Sequence, residues 1–354
     1  MTFAHDHYVP VLKVKRGEKR ALQLIAPRLR ARITPLLEIV EWRKDRKPTL
    51  AAHLETAFKG LAESVRTYPG CFLEARELAP DGARAAGEVF RTAAAAGIHF
   101  VPVTGLARDT DLAAALSHRQ RGLAIRLARE DFESGGLTDR LRDFAGRHDI
   151  AHQTTDLIVD LGPVDEMIVE GVAAFATQFL RAIPDPAAWR TLTLSGSAFP
   201  LSMGVVERRS HAFVERAEWL AWRSHVRPDD GLPRVPTYSD CAIQHPSGVE
   251  GFDPRRMQVS AAVRYALPEK WLLIKGESTR RRLPSEQFPE LATQLAYGHL
   301  RQHFAGERHC EGCRSIKAAA DQRAGFGRPE DWRRIGTVHH ITQVMESLGG
   351  PSAS

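Results

Sequence analysis

A chain of 354 residues, 43% hydrophobic and 26% charged, carries enough apolar material for a substantial core, which excludes a disordered, fibrous or collagen-like protein. Four cysteines exclude a disulfide scaffold. No apolar run approaches the roughly 18 residues of a membrane span, and the N-terminus MTFAHDHYVP lacks the plan of a signal peptide, so a cytoplasmic protein is expected. The net charge of +6 favours a phosphorylated small molecule or nucleic acid as partner, although a solvated surface of background composition explains it more simply.

In chain order, short strand-like runs fall at 8–14, 34–40, 71–77, 99–105, 122–128, 155–162, 190–197 and 236–244. The stretches between them repeat apolar residues at three and four and are read as helices, including 206–226, VERRSHAFVERAEWLAWRSHV. The run 255–279 folds back around ALPEK as a hairpin. An eighth helix is expected from FPELATQLAYGHLRQHF, 288–304, and a further helical stretch continues to 348. The organisation predicted is a barrel over 1–250, a hairpin insertion and helices packed on it over 251–348, and a disordered tail at 349–354.

Strands alternating with helices force a parallel sheet, and eight such units close it on itself without an edge. The fold class expected is therefore α/β, a (β/α)8 barrel of the TIM type. The rival, an open doubly wound sheet, needs a glycine-rich loop after its first strand, and KVKRGEKRAL has a single glycine.

In such a barrel the C-terminal strand ends and the loops after them share one mouth, where barrel enzymes place their chemistry. The polar residues falling there include Lys13 and Lys15 on the first strand, Glu38 on the second, Glu74 on the third, Arg126 on the fifth, Asp160 on the sixth, Ser195 and Ser197 on the seventh, and Asp240 on the eighth. Two readings stay open. The charges form a self-paired ring that closes the barrel top, since a buried charge is tolerable only when matched. Alternatively, Lys13, Lys15, Arg126 and Lys275, with the serines of the LTLSGSAFP loop, hold a phosphorylated or nucleotide-like anion, while Glu38, Glu74, Asp160 and Asp240 transfer protons or hold a divalent metal. Under that second reading, hydrolysis of a phosphodiester or nucleotide is the chemistry to expect. A catalytically inert module binding nucleic acid or protein is the alternative to both.

A second constellation is HCEGC, 309–313, followed by TVHHI, 337–341. Cys310 and Cys313 have the spacing of a tetrahedral metal site, and His339 or His340, together with His309, would complete a structural zinc site. The 25 residues between Cys313 and His339 exceed the spacing of a classical finger, so the plainer reading is two small apolar cysteines and histidines that cap or line the last helix. Trp219 and Trp222, three apart on one helix, read as packing residues rather than a base-stacking platform.

The sequence resembles the uncharacterised beta protein family of bacteria and their phages, through YVPVLKVKRGEKRAL, TPLLEI, LIVDLG, SGSAFP, YSDCA, the pair VRYA and WLLIKG, and the closing cysteine and histidine pairs. The resemblance runs over nearly the whole chain. It implies no established activity, but a setting of phage–host conflict, antiviral defence or nucleic-acid metabolism, with a protein partner from the same operon.

Overall fold

Eight of the apolar runs become parallel staves. The computed structural model describes residues 3, 6–247, 260–323 and 325–349. The strands β1 (Tyr8–Lys13), β2 (Leu36–Glu38), β3 (Cys71–Glu74), β4 (Phe100–Thr104), β5 (Leu123–Leu127), β6 (Thr155–Pro163) and β7 (Thr191–Ser197) pair in order, and β9 (Thr237–Asp240) joins β7 to β1. This is a closed (β/α)8 barrel. Helices return the chain between staves: α1 (Arg16–Leu24) and α2 (Pro27–Arg30) after β1, α3 (Leu50–Phe58) and α4 (Leu61–Val65) after β2, α5 (Ala83–Ala95) after β3 and α6 (Asp109–Ser117) after β4. Then come α7 (Arg129–Glu133) and α8 (Leu137–His148) after β5, and α9 (Val169–Arg181) after β6.

The pleat sorts the side chains of each stave. Val9, Val11, Leu36, Phe72, Val101, Val103, Ala124, Ile158 and Cys241 fill the barrel interior. Tyr8, Leu12, Leu37, Leu73, Ile125, Leu157 and Tyr238 face the helices and join the larger core there. One of the four cysteines is thus an interior filler.

Outside the barrel, β8 (Ser210–Glu215), β10 (Ser260–Ala266) and β11 (Lys270–Ser278) form an antiparallel sheet in the order β10-β11-β8. The β10–β11 hairpin turns where ALPEK predicts it. Its partner β8 replaces part of the helix expected over 206–226. There Ala212 and Val214 alternate into an apolar cluster with Phe199, Trp271 and Leu273, a period of two that overrides the helical spacing around it. The helix resumes as α10 (Ala217–Ala221) and one π turn, Trp222–Val226.

The rest of the chain is α11 (Pro284–Ala296), α12 (Glu311–Ala320) and α13 (Pro329–Gly349). Here too the expectation needs correction. The helix predicted to fill the eighth barrel position, α11, packs instead with Tyr265, Leu272, Ile316 and Trp332 in a second core over the hairpin. The eighth position is taken by α13, whose Val338, Ile341, Val344 and Met345 belong to the barrel's outer core. Ile335, one turn earlier, belongs to the second core, so α13 joins the two. Residues 255–259, at the start of the expected hairpin run, and 350–354 of the expected tail lie outside the described residues. No described helix is long and apolar enough to cross a membrane.

Candidate functional site

Register places the mouth charges side by side. Lys13 on β1 is level with Glu38 on β2, and Glu38 with Glu74 on β3, all three on the inward face. Arg126 rises from β5 among them. Its Nη1 donates to Glu38 Oε1 at 2.9 Å and to Glu74 Oε2, and its Nε donates to Asp160 Oδ2 at 2.9 Å. Lys13 lies 3.7 Å from Glu38 and pairs closely with Glu77. Five of the predicted residues, Lys13, Glu38, Glu74, Arg126 and Asp160, therefore meet in one cluster, and all are buried.

Two residues complete it that sequence reasoning missed. Arg76, two residues past β3, reaches back to Glu38 at 2.9 Å and lies 3.7 Å from Asp160. Arg108, in the loop after β4, pairs with Glu74 and with Asp111, which also accepts from Thr104 at 2.6 Å. Both arginines leave from loops rather than strand ends, so neither shows in the period-two pattern; their one signal is an arginine on the C-terminal side of a barrel strand.

The electrostatics of this cluster are those of mutual satisfaction. Burial alone would raise the Glu74 carboxyl, but Arg126, Arg76 and Arg108 hold it well below the usual carboxylate range. Burial works against the charge of Lys13, yet Glu38 and Glu77 outweigh it and push its pKa up. Glu77 moves the other way, raised by its own burial and by Glu38 despite Lys13. The guanidinium of Arg126 occupies the point between Glu38, Glu74 and Asp160 where a shared divalent ion would have to sit.

The remaining predicted residues lie elsewhere. Asp240 is buried on the outer side of β9, because Ser239 and Cys241 on either side of it point inward. It accepts from Tyr8 Oη, from Tyr238 Oη at 2.9 Å, from His340 Nε2 at 2.9 Å and from the Ala242 amide at 2.9 Å, with Arg216 3.9 Å away. Burial opposes its ionisation, and these donors together keep it below the usual range. Burial also lowers His340, which fits a neutral ring donating from Nε2. Lys275 sits in the antiparallel sheet, where its ammonium donates to the carbonyls of Met203 and Val206, each at 2.7 Å. Ser195 pairs with Ser239 at 3.2 Å, and Ser197 Oγ accepts from the Phe199 amide at 3.3 Å, closing a tight turn. The amide after it, Ala198 N, is taken by the buried Glu218 carboxyl at 3.1 Å, so this loop does not present it to a phosphate. Burial raises Glu218 to about 7.

Lys15 is exposed and borders something different. From the rim of the mouth a groove of about 780 Å³ runs between α1 and α3. Its walls carry Lys15, Arg16, Lys19, Arg20, Arg43, Arg46, Lys47 and Lys59, eight cations, against one lining carboxylate, Glu41; Arg16 also pairs with Glu330 at 3.4 Å and Arg43 with Asp45 at 3.3 Å. The loops after β1 and β2 supply its upper end. Lys19 is part of the scaffold, since its ammonium donates to the carbonyls of Thr56, Ala57 and Lys59 at 2.8–3.1 Å and so caps the end of α3. Burial and the neighbouring Lys59 lower its pKa. No aromatic ring other than His53 lines the groove, which suits phosphate charge better than base stacking.

Among the described residues, the His, Cys, Asp or Glu group that converges at metal-binding range is His309, Cys310, Cys313 and His339. It lies at the middle of α13, between α12 and the hairpin, and takes no part in the mouth.

No curated protein matches the chain. Among solved structures it is similar to the crystal structure of a mandelate racemase/muconate lactonizing protein from Herpetosiphon aurantiacus, with 13% identity and a TM-score of 0.34. That likeness covers 77% of this chain and 63% of the other, so the chain spans less than two thirds of that protein's length. The sequence pieces from YVPVLKVKRGE to the HHI of α13 find their counterpart in one family, whose sequence model, described as Beta protein, matches residues 8–346; the chain belongs to the Beta protein family.

Proposed function

We propose that this chain binds a phosphorylated, nucleotide-like anion in the groove beside the barrel mouth. The observation that carries the reading is the excess of cations around about 780 Å³, a volume suited to a small ligand: with Arg16 paired to Glu330, Arg43 to Asp45 and Lys19 held by carbonyls, Lys15, Arg20, Arg46, Lys47 and Lys59 still face a single lining carboxylate, Glu41. A phosphate chain entering there exchanges repulsion among like charges for charge-assisted hydrogen bonds. Of the residues whose type suits an anion, Lys15 is the one that borders the groove; Lys13 and Arg126 belong to the paired mouth cluster, and Ser195, Ser197 and Lys275 lie apart. Binding rather than hydrolysis is proposed, because Glu38, Glu74 and Asp160 are already engaged by Arg126. The setting implied by the family resemblance, conflict between phage and host, is one in which a nucleotide-sensing barrel has a place.

The test is equilibrium titration with ATP as probe at two salt concentrations. Lys15→Ala combined with Lys47→Ala is expected to weaken binding about tenfold or more, in proportion to two lost charge contacts, while Lys13→Ala does not abolish it in protein that remains folded. Absence of binding, or equal binding by the double variant, would refute the reading. Tight binding of an oligonucleotide with a steep salt dependence, and none of ATP, would instead favour the nucleic-acid module.

A further inference from the structure

We infer that His309, Cys310, Cys313 and His339 form a structural zinc site that fastens α12 and the loop before it to α13. One ligating atom from each of the four lies within 4.8 Å of all the others. Cys313 Sγ is 3.3 Å and Cys310 Sγ 3.9 Å from His339 Nδ1. Two thiolates and two imidazoles are the donor set that selects zinc in tetrahedral geometry.

The surroundings orient these ligands in the manner of a metal site. His339 Nε2 lies 2.7 Å from the Ala266 carbonyl, so the ring's proton is fixed there and the Nδ1 lone pair faces the sulfurs. His309 Nδ1 lies 3.2 Å from the Glu346 carboxylate, while its Nε2 is buried with no hydrogen-bond partner. A buried ring nitrogen left with a free lone pair is costly unless something completes it. The Cys313 amide donates to Cys310 Sγ at 3.3 Å, and the Tyr265 hydroxyl lies 3.5 Å from Cys313 Sγ, contacts that favour sulfur carrying negative charge. Gly312 makes the convergence feasible: a Cβ there would stand 2.5 Å from the Ile335 carbonyl and 3.2 Å from the His339 amide, so only glycine lets α12 approach α13 this closely.

On binding, Zn²⁺ displaces the thiol protons of Cys310 and Cys313 to solvent and takes four protein ligands, leaving no open position for substrate. Its mechanical role follows from the next residue. His340, adjacent to His339 on α13, holds Asp240 of β9, so the ion steadies the helix that joins the hairpin core to the barrel.

The full-length protein, purified without chelator, is expected to contain about one zinc per chain by elemental analysis. After exchange for Co²⁺ it should show the intense visible bands of a tetrahedral site together with thiolate-to-cobalt charge transfer. His309→Ala should retain the cobalt–thiolate bands and release metal to a chelator at least tenfold more readily than wild type; Cys310→Ser should lose most of the charge transfer. Folded wild-type protein with no stoichiometric zinc and no cobalt–thiolate absorption, or with Cys310 and Cys313 joined as a disulfide, would overturn the assignment. Because the spectra are read on wild-type protein, failure of a variant to fold does not obscure the result.

Discussion

Lys13 and Lys15 are two residues apart and end in opposite electrostatic environments. Lys13 turns inward at the end of β1 and meets Glu38 and Glu77 in a mouth where arginines and carboxylates neutralise one another. Lys15 leaves the barrel with α1 and faces a groove in which carboxylates are nearly missing. The two regions carry similar residue types, and the difference lies in matching. A cluster whose charges satisfy one another is part of the scaffold; one with more cations than carboxylates to match them has work left for a ligand. Removing a charge should therefore be disruptive in the mouth and nearly harmless to folding in the groove, except at Lys19, which caps α3.

The largest effect is expected at Arg126. Arg126→Met leaves Glu38, Glu74 and Asp160 buried together without their shared cation, at a cost of about 3–5 kcal/mol, read as a large drop in the urea midpoint or a failure to fold. Removing one acid at the same time, as Glu74→Leu with Arg126→Met, should recover part of that loss; an Arg126→Met variant as stable as wild type would show that the mouth is not held by these pairs.

Two pH windows sharpen the same contrast. Because the folded pKa of Glu74 is depressed, its pairing stabilises the protein above the ordinary glutamate value of 4.5 and that stability drains away as the pH falls below it. Glu218 has the opposite sign. Its folded pKa is raised to about 7, so its contribution is fullest below 4.5 and is lost as the pH rises through neutrality. Melting temperatures measured from pH 5 to 8 should fall less steeply in Glu218→Gln than in wild type; parallel curves would remove Glu218 from the account.

Most of the barrel was legible in the sequence, because β-branched and aromatic runs bounded by turns and separated by helical spacing leave few other ways to bury the strands. The same alternation, followed one residue at a time, separates Asp240 from the mouth: Ser239 before it and Cys241 just after it point inward, so it must point out. Arg76 and Arg108 could not be found by period, since loop residues obey none. Lys275 was misleading because a charge at a strand end says nothing about which sheet the strand joins. The groove was the least legible feature, for its cations come from α1 and the residue before it, the loop after β2 and Lys59 just past α3, each of which by itself reads as an ordinary solvated face.

The smallest effect is expected in the groove. Arg46→Ala and Lys47→Ala should change stability by no more than about 0.5 kcal/mol, as for surface positions without structural partners, in a denaturant titration. A loss of several kcal/mol in either would mean that the groove's cations are matched after all.

Hydrogen–deuterium exchange with and without saturating ATP tests most directly whether the ligand lies in the groove rather than in the barrel mouth. The account predicts added protection at 15–23 and 41–60, the segments that wall the groove, with β5 and β6 unchanged. Protection confined to 122–128 and 155–162, or none anywhere, would contradict it.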